Sequence, residues 1–203
     1  MKFFSTLVFL NSLTICLFAQ TNNSDTTILK LFVINNRLQN QIVYADKSLG
    51  WDKLKELVNE KEITWKGEKQ SKTIRLTKKE RNYILGQIEE NKNLVWGDNL
   101  FANSKRIPAD SMLRYLKNEL DVRNDSINKA IARKDYATID KLNKLRPWAF
   151  GFSKPIYFRD NKYCLLFQTA LCGRGDCGFE NINVLINEDG EWRLFIFTNQ
   201  RDY

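Results

Sequence analysis

The 203-residue chain contains no histidine. That absence removes the Ser–His–Asp and Cys–His nucleophile pairs, imidazole metal ligands and the side chain that switches charge near neutral pH. Catalysis by lysine or by paired carboxylates survives the exclusion, whereas most hydrolase templates do not. The chain also lacks the roughly 20 consecutive apolar residues that a membrane-spanning helix requires. Its most apolar stretch, at the N-terminus, is interrupted by Asn11, Ser12 and Thr14. A basic stripe is missing too. The 32 Lys and Arg residues exceed 24 Asp and Glu for a net charge of +8, but they are scattered among Asn, Glu and Asp. An electrostatic footprint for nucleic acid or anionic lipid needs clustering, so no specific nucleic-acid binding is expected. There are no internal repeats or low-complexity tracts. The apolar fraction of 43% and aromatic fraction of 12% are those of a folded chain and exclude wholesale disorder.

What is present begins with an export signal. Lys2 forms a short positive region, Phe3 to Leu10 starts an apolar run that resumes at Leu13, and polar residues begin at Gln20. These are the three parts of a secretory signal peptide, residues 1–19, with cleavage after Ala19. Leu17 is unusual three residues before the cut, and Cys16 keeps an outer-membrane lipoprotein as the alternative. Cleavage removes one lysine and no acid, leaving 31 basic against 24 acidic residues and a net charge of +7. The expected address is periplasmic or extracellular, with no transmembrane segment in the mature chain.

Residues 20–203 read as a single α+β domain. Its N-terminal and central helices pack on a C-terminal antiparallel β-meander of about four strands. The region 26–146 reads as helical and 148–199 as the meander. Ile28, Leu31, Phe32, Leu38 and Ile42 approach helical spacing and predict a helix over 26–45, against the β-branched pair Val33 and Ile34. Trp51, Leu54, Leu57 and Val58 mark a second helix, and residues 59–72 read as a charged loop before a short strand at 73–76. Thr77 followed by Glu80 is a capping box that starts a third helix. Helices follow from Pro108 and across the charged stretch 121–146, stopped by Arg146-Pro147. Four apolar runs then alternate with turn residues: 150–158, 163–171, 179–186 and 192–198.

Beyond the leader the cysteines are Cys164, Cys172 and Cys177. Placing Cys172 opposite Cys177 pairs Phe167 with Ile182, Leu165 with Val184 and Tyr163 with Ile186 on one apolar face. The same register puts Cys164 with Leu185, Leu166 with Asn183 and Gln168 with Asn181 on a mixed face. Cys164 lies eight strand residues from Cys172, roughly 26 Å, far beyond disulfide reach. The expectation is a Cys172–Cys177 bridge with Cys164 a buried thiol. A redox role is disfavoured because the cysteines flank a hairpin loop rather than a helix start. A Cys-only metal site would need Asp176 as its fourth ligand. The loop between them contains Arg174-Gly175-Asp176, the tripeptide of integrin ligands, which makes Arg174 and Asp176 candidate binding residues.

Ser153-Lys154-Pro155-Ile156, Asp160-Asn161-Lys162-Tyr163-Cys164, Leu171-Cys172-Gly173, Cys177-Gly178 and Gly190-Glu191-Trp192 carry a resemblance over about 45 residues. With the Thr77–Glu80 helix start, they resemble a group of uncharacterised exported proteins of Gram-negative bacteria. The resemblance implies fold and export, transfers no catalytic residue, and implies a loop sequence that varies between the cysteines. The favoured function is a non-enzymatic exported domain that binds a ligand or an envelope component, a protein or a glycan, without a cofactor. Trp96, Trp148 and Trp192 are candidate lining for a cleft, with Trp96 the chosen ligand-binding residue, although such aromatics are more often core. The alternatives are a carboxylate-based glycan hydrolase using Asp98, Asp110 or Glu180, and adhesion through the Arg174–Asp176 loop.

Overall fold

A computed structural model describes residues 23–33, 41–66, 71–144, 147–175 and 177–202, which hold nine strands and five α-helices. The leader, Cys16 and Asp176 lie outside the described residues. In chain order the elements are α1 (Asn23–Val33), β1 (Ile42–Ala45), α2 (Trp51–Asn59), β2 (Glu62–Lys66), β3 (Ser71–Arg75), α3 (Lys78–Asn91), β4 (Ser104–Ile107), α4 (Met112–Ala132) and α5 (Tyr136–Lys144). They continue with β5 (Trp148–Phe152), β6 (Ile156–Phe158), β7 (Tyr163–Cys172), β8 (Cys177–Glu188) and β9 (Glu191–Asp202). A 3₁₀ turn, Ala109–Ser111, leads into α4. The class is α+β, as the periodicities predict.

Seven strands form one sheet in the order β4-β1-β5-β7-β8-β9, with β6 also paired to β7. The hairpin β7–β8 has the register expected from the cysteines, residue by residue from Tyr163↔Ile186 to Cys172↔Cys177. The first apolar run is two strands rather than one. Its interruption follows from Pro155, which has no N–H to give the ladder. Ser153 fills the gap, donating its N–H to the Phe167 carbonyl (3.0 Å) and accepting the Phe167 N–H on Oγ (2.9 Å).

Two expectations for the N-terminal half are corrected. The helix expected over 26–45 ends at Val33, and Ile42–Ala45 is a strand. The tetrapeptide Ile-Val-Tyr-Ala is continuously apolar, so periodicity alone does not separate buried helix from buried strand. Its position between β4 and β5, parallel to both, makes it a strand. The charged stretch 59–72 likewise contains β2 and the start of β3, an antiparallel pair in which Ile63 faces Ile74. Region 26–146 therefore contributes four strands besides its helices.

Burial on the C-terminal hairpin goes further than its mixed face suggests. The mixed face of the hairpin is as dry as the apolar one. On one side of β7, Leu165 and Phe167 pack with α2, α3, the β2–β3 hairpin and Ile182, Val184 and Ile196. On the other, Cys164, Leu166 and Ala170 pack with Ile28, Leu29 and Val33 of α1, Tyr44, Trp96, Phe101, Phe150 and Phe152. A third cluster of Val43, Ala45, Ala149, Ile107, Met112 and Leu116 seats α4 at the parallel end of the sheet. Gly50 shows how tightly α2 is set. Its φ of 77° suits glycine, and a Cβ there would run into the Phe167 ring. Among the described residues, no helix is long and apolar enough to cross a membrane.

Candidate functional site

The second face of the sheet is incompletely roofed, and the uncovered part is a groove. β5 places Trp148 and Phe150 on that face, opposite Cys172 and Ala170 of β7. β7 adds Gln168, and β8 adds Phe179, Asn181 and Asn183 at alternate positions. Strand β9 supplies Leu194 and Phe197. Three positions apart in a regular strand, these two would point to opposite faces. A register shift between Val184 and Leu185 leaves Phe195 as the extra residue, so Leu194 sits opposite Leu185 and Phe197 opposite Asn183. Leu31 and Phe32 of α1 close the rim. The cavity so formed is about 430 Å³.

Its chemistry has two parts. The walls are aromatic: Trp148 and Phe150 are nearly parallel at 6.5 Å between ring centroids, and Phe179 leans against Trp148 at 6.4 Å and 50°. Leu31, Leu194 and Phe197 are 41, 51 and 38% exposed, which leaves a run of apolar surface open at the mouth. The floor is a set of amides. Gln168 and Asn183 are each only 2% exposed. Asn183 Nδ2 and Asn181 Oδ1 are buried with no hydrogen-bond partner among the described residues. Leaving such an atom unpaired costs about 1–3 kcal/mol. Among the described residues no charged side chain lines the groove, in a chain of which 28% is charged.

Two other cavities are built around ion pairs. A pocket of about 520 Å³ is lined by Glu80 and Arg159, but Arg159 Nε donates to Glu80 Oε1 at 2.6 Å and its Nη2 to the Arg75 carbonyl at 2.7 Å. One of about 620 Å³ borders the β8–β9 turn, where Arg193 pairs with Glu191 at 2.9 Å and Glu188 at 3.8 Å. Asp25 is 1% exposed and accepts a 2.8 Å bond from the Tyr157 hydroxyl. Burial raises the Asp25 carboxyl above its ordinary range, and burial beside Asp25 raises the Cys164 thiol well above its own. A buried thiol held protonated is inert, so Cys164 packs rather than reacts.

The residues singled out from sequence are dispersed. Cys172 and Cys177 stand opposite each other at disulfide distance, with Cα atoms 5.2 Å apart. Arg174 points toward α4, 3.6 Å from Asp121, and Gly175 packs against Leu113. Trp96 is 1% exposed and sits in the core, its carbonyl accepting from Arg106 at 2.8 Å. Trp192 packs on the Tyr157 ring; of the three tryptophans considered for a cleft, Trp148 lines the groove. Asp98 pairs with Arg106 at 2.8 Å, Asp110 accepts from the Ser111 hydroxyl, and Glu180 is held by Lys53. Each of these carboxylates thus has a different partner. Among the described residues no cluster of three His, Cys, Asp or Glu side chains is placed to hold a metal ion.

Gln168, Asn181 and Asn183 were not among the residues chosen from sequence. Their signal lay in the mixed face of the hairpin register, where amides interrupt otherwise apolar strands. Comparison with protein-family models, curated proteins and solved structures finds no match in any of the three.

Proposed function

We propose that this chain is a non-catalytic, exported ligand-binding domain, and that it binds through the groove over β5, β7, β8 and β9. The carrying observation is Asn183, a 98%-buried amide whose Nδ2 lacks a partner among the described residues, on the floor of an aromatic cleft. Buried polar groups are nearly always paired, and an unpaired one at a concave surface marks a place where a ligand completes the bonding. Export is supported by the leader-like N-terminus and by a cysteine pair at disulfide distance, which suits an oxidising compartment. An envelope component as the natural partner fits that address. The separate partners of Asp98, Asp110 and Glu180 favour binding over hydrolysis.

The test is Asn183→Leu. An amide kept for binding is a burden on the free protein, so the leucine variant should be more stable by about 1–3 kcal/mol in denaturant unfolding. A loss of stability would show that Asn183 holds the fold together, and the reading would fail.

A further inference from the structure

Resting on that reading, we infer that the groove takes an uncharged sugar ring, a neutral pyranose or a short oligosaccharide of such rings. The lining discriminates between ligand chemistries. Anionic ligands, nucleotides included, would meet no lysine or arginine among the ten described lining residues. An acyl chain would satisfy the aromatic walls but leave Asn183 Nδ2 and Asn181 Oδ1 unpaired in a drier site than before. An extended peptide carries one N–H and one C=O at every residue and pairs best along a sheet edge. This groove lies on a sheet face, where the β7 and β8 backbone groups are already committed to each other, so three side-chain amides would be its main partners.

A pyranose matches both parts. Its ring carries an apolar C–H face, suited to the tilted rings of Trp148 and Phe179. Its hydroxyls each donate one hydrogen bond and accept others. Asn183 Nδ2 is an unused donor and Asn181 Oδ1 an unused acceptor. They occupy alternate positions on one strand, roughly 7 Å apart. Neighbouring ring hydroxyls can therefore accept from one amide and donate to the other, with Gln168 across the ladder from Asn181. A cavity of about 430 Å³ falls within the range of small-molecule sites.

The purified protein, labelled with ¹⁵N, is titrated with neutral tetrasaccharides of glucose, galactose, mannose and N-acetylglucosamine. Tetragalacturonate serves as the anionic probe and dodecanol as the apolar one. At least one neutral tetrasaccharide should shift the side-chain amide signals of Asn181 and Asn183 and the Trp148 indole. Trp148→Ala and Asn183→Leu should each weaken it tenfold or more, and Glu80→Gln should leave it unchanged. Affinity should be flat from pH 5 to 8, because the chain has no histidine and none of the described lining residues is ionisable. The sugar assignment is overturned if no neutral sugar shifts these signals, if tetragalacturonate binds more tightly, or if dodecanol alone moves them. Should Asn183→Leu still stabilise the protein in those cases, the groove stands as a binding site and only the ligand class is wrong. A destabilised Asn183→Leu with no probe in the groove removes both.

Discussion

Glu80 joins two parts of the molecule that are far apart in sequence. Its Oε2 accepts the Thr77 N–H at 2.7 Å while the Thr77 hydroxyl accepts the Glu80 N–H, the capping box that starts α3. Its Oε1 accepts from Arg159 at 2.6 Å, anchoring a turn in which Arg159, Asp160 and Asn161 all have positive φ. The Arg159 hydrogen bond is the main cause that lowers the Glu80 pKa from 4.5 to about 2, followed by the cap. A carboxylate whose pKa falls on folding contributes stability above its unfolded value and loses it as pH drops through the folded one. Glu80→Gln should therefore cost at most about 1 kcal/mol at pH 7, since the pair is partly solvated. The difference from the parent should vanish between pH 4.5 and about 2. Denaturant unfolding at pH 7, 4 and 2 measures it, and a difference that persists at pH 2 would contradict the account. The capping box was readable in sequence because its partners are three residues apart; Arg159 was not, because it is 79 residues away.

At the scale of elements, the β7–β8 hairpin organises both the sheet and the groove. Its register was legible because alternate apolar residues on two neighbouring strands pair in only one way that also brings Cys172 to Cys177. The bridge closes a small ring, so replacing both cysteines by serine should cost about 2 kcal/mol by the loop-entropy relation. Chemical denaturation under non-reducing conditions would show it. A change below a few tenths would mean that the strands alone hold the turn. Cys172 also lies opposite Trp148, so the bridge braces the strand end at which the aromatic wall of the groove begins. Strand β1 illustrates the opposite case. Its partners, Ser104–Ile107 and Trp148–Phe152, are about 60 and 105 residues away. Nothing local distinguishes its four apolar residues from the end of a helix.

Across the whole molecule, β7 is the partition between two cores. Leu165 faces α2 and α3, Leu166 faces α1 and the 94–101 segment, and both are fully buried. Leu165→Ala and Leu166→Ala should each cost about 2–5 kcal/mol, with the larger value wherever less of the cavity collapses. Because one strand serves both cores, tryptophan fluorescence and far-ultraviolet circular dichroism should report the same midpoint in each variant. Separate midpoints would show that the cores melt independently. The groove belongs to this scale as well. Its floor comes from one hairpin, but its walls require β5, a β-bulge on β9 and the last residues of α1.

By itself the sequence determined what depends on neighbours along the chain: the α3 start, the hairpin register, the reach that separates Cys164 from Cys172, and the turns between the last strands. Those interactions close loops of a few residues, and their spacing is the signal. The tertiary structure alone decided the parallel addition of β1, the covering of the second face of β7, and the meeting of Asn181 and Asn183 with Trp148. Each depends on surfaces brought together across tens of residues, where burial acts without leaving a local pattern. A mixed strand face thereby became a floor on which Asn181 and Asn183 each keep one buried atom without a partner among the described residues.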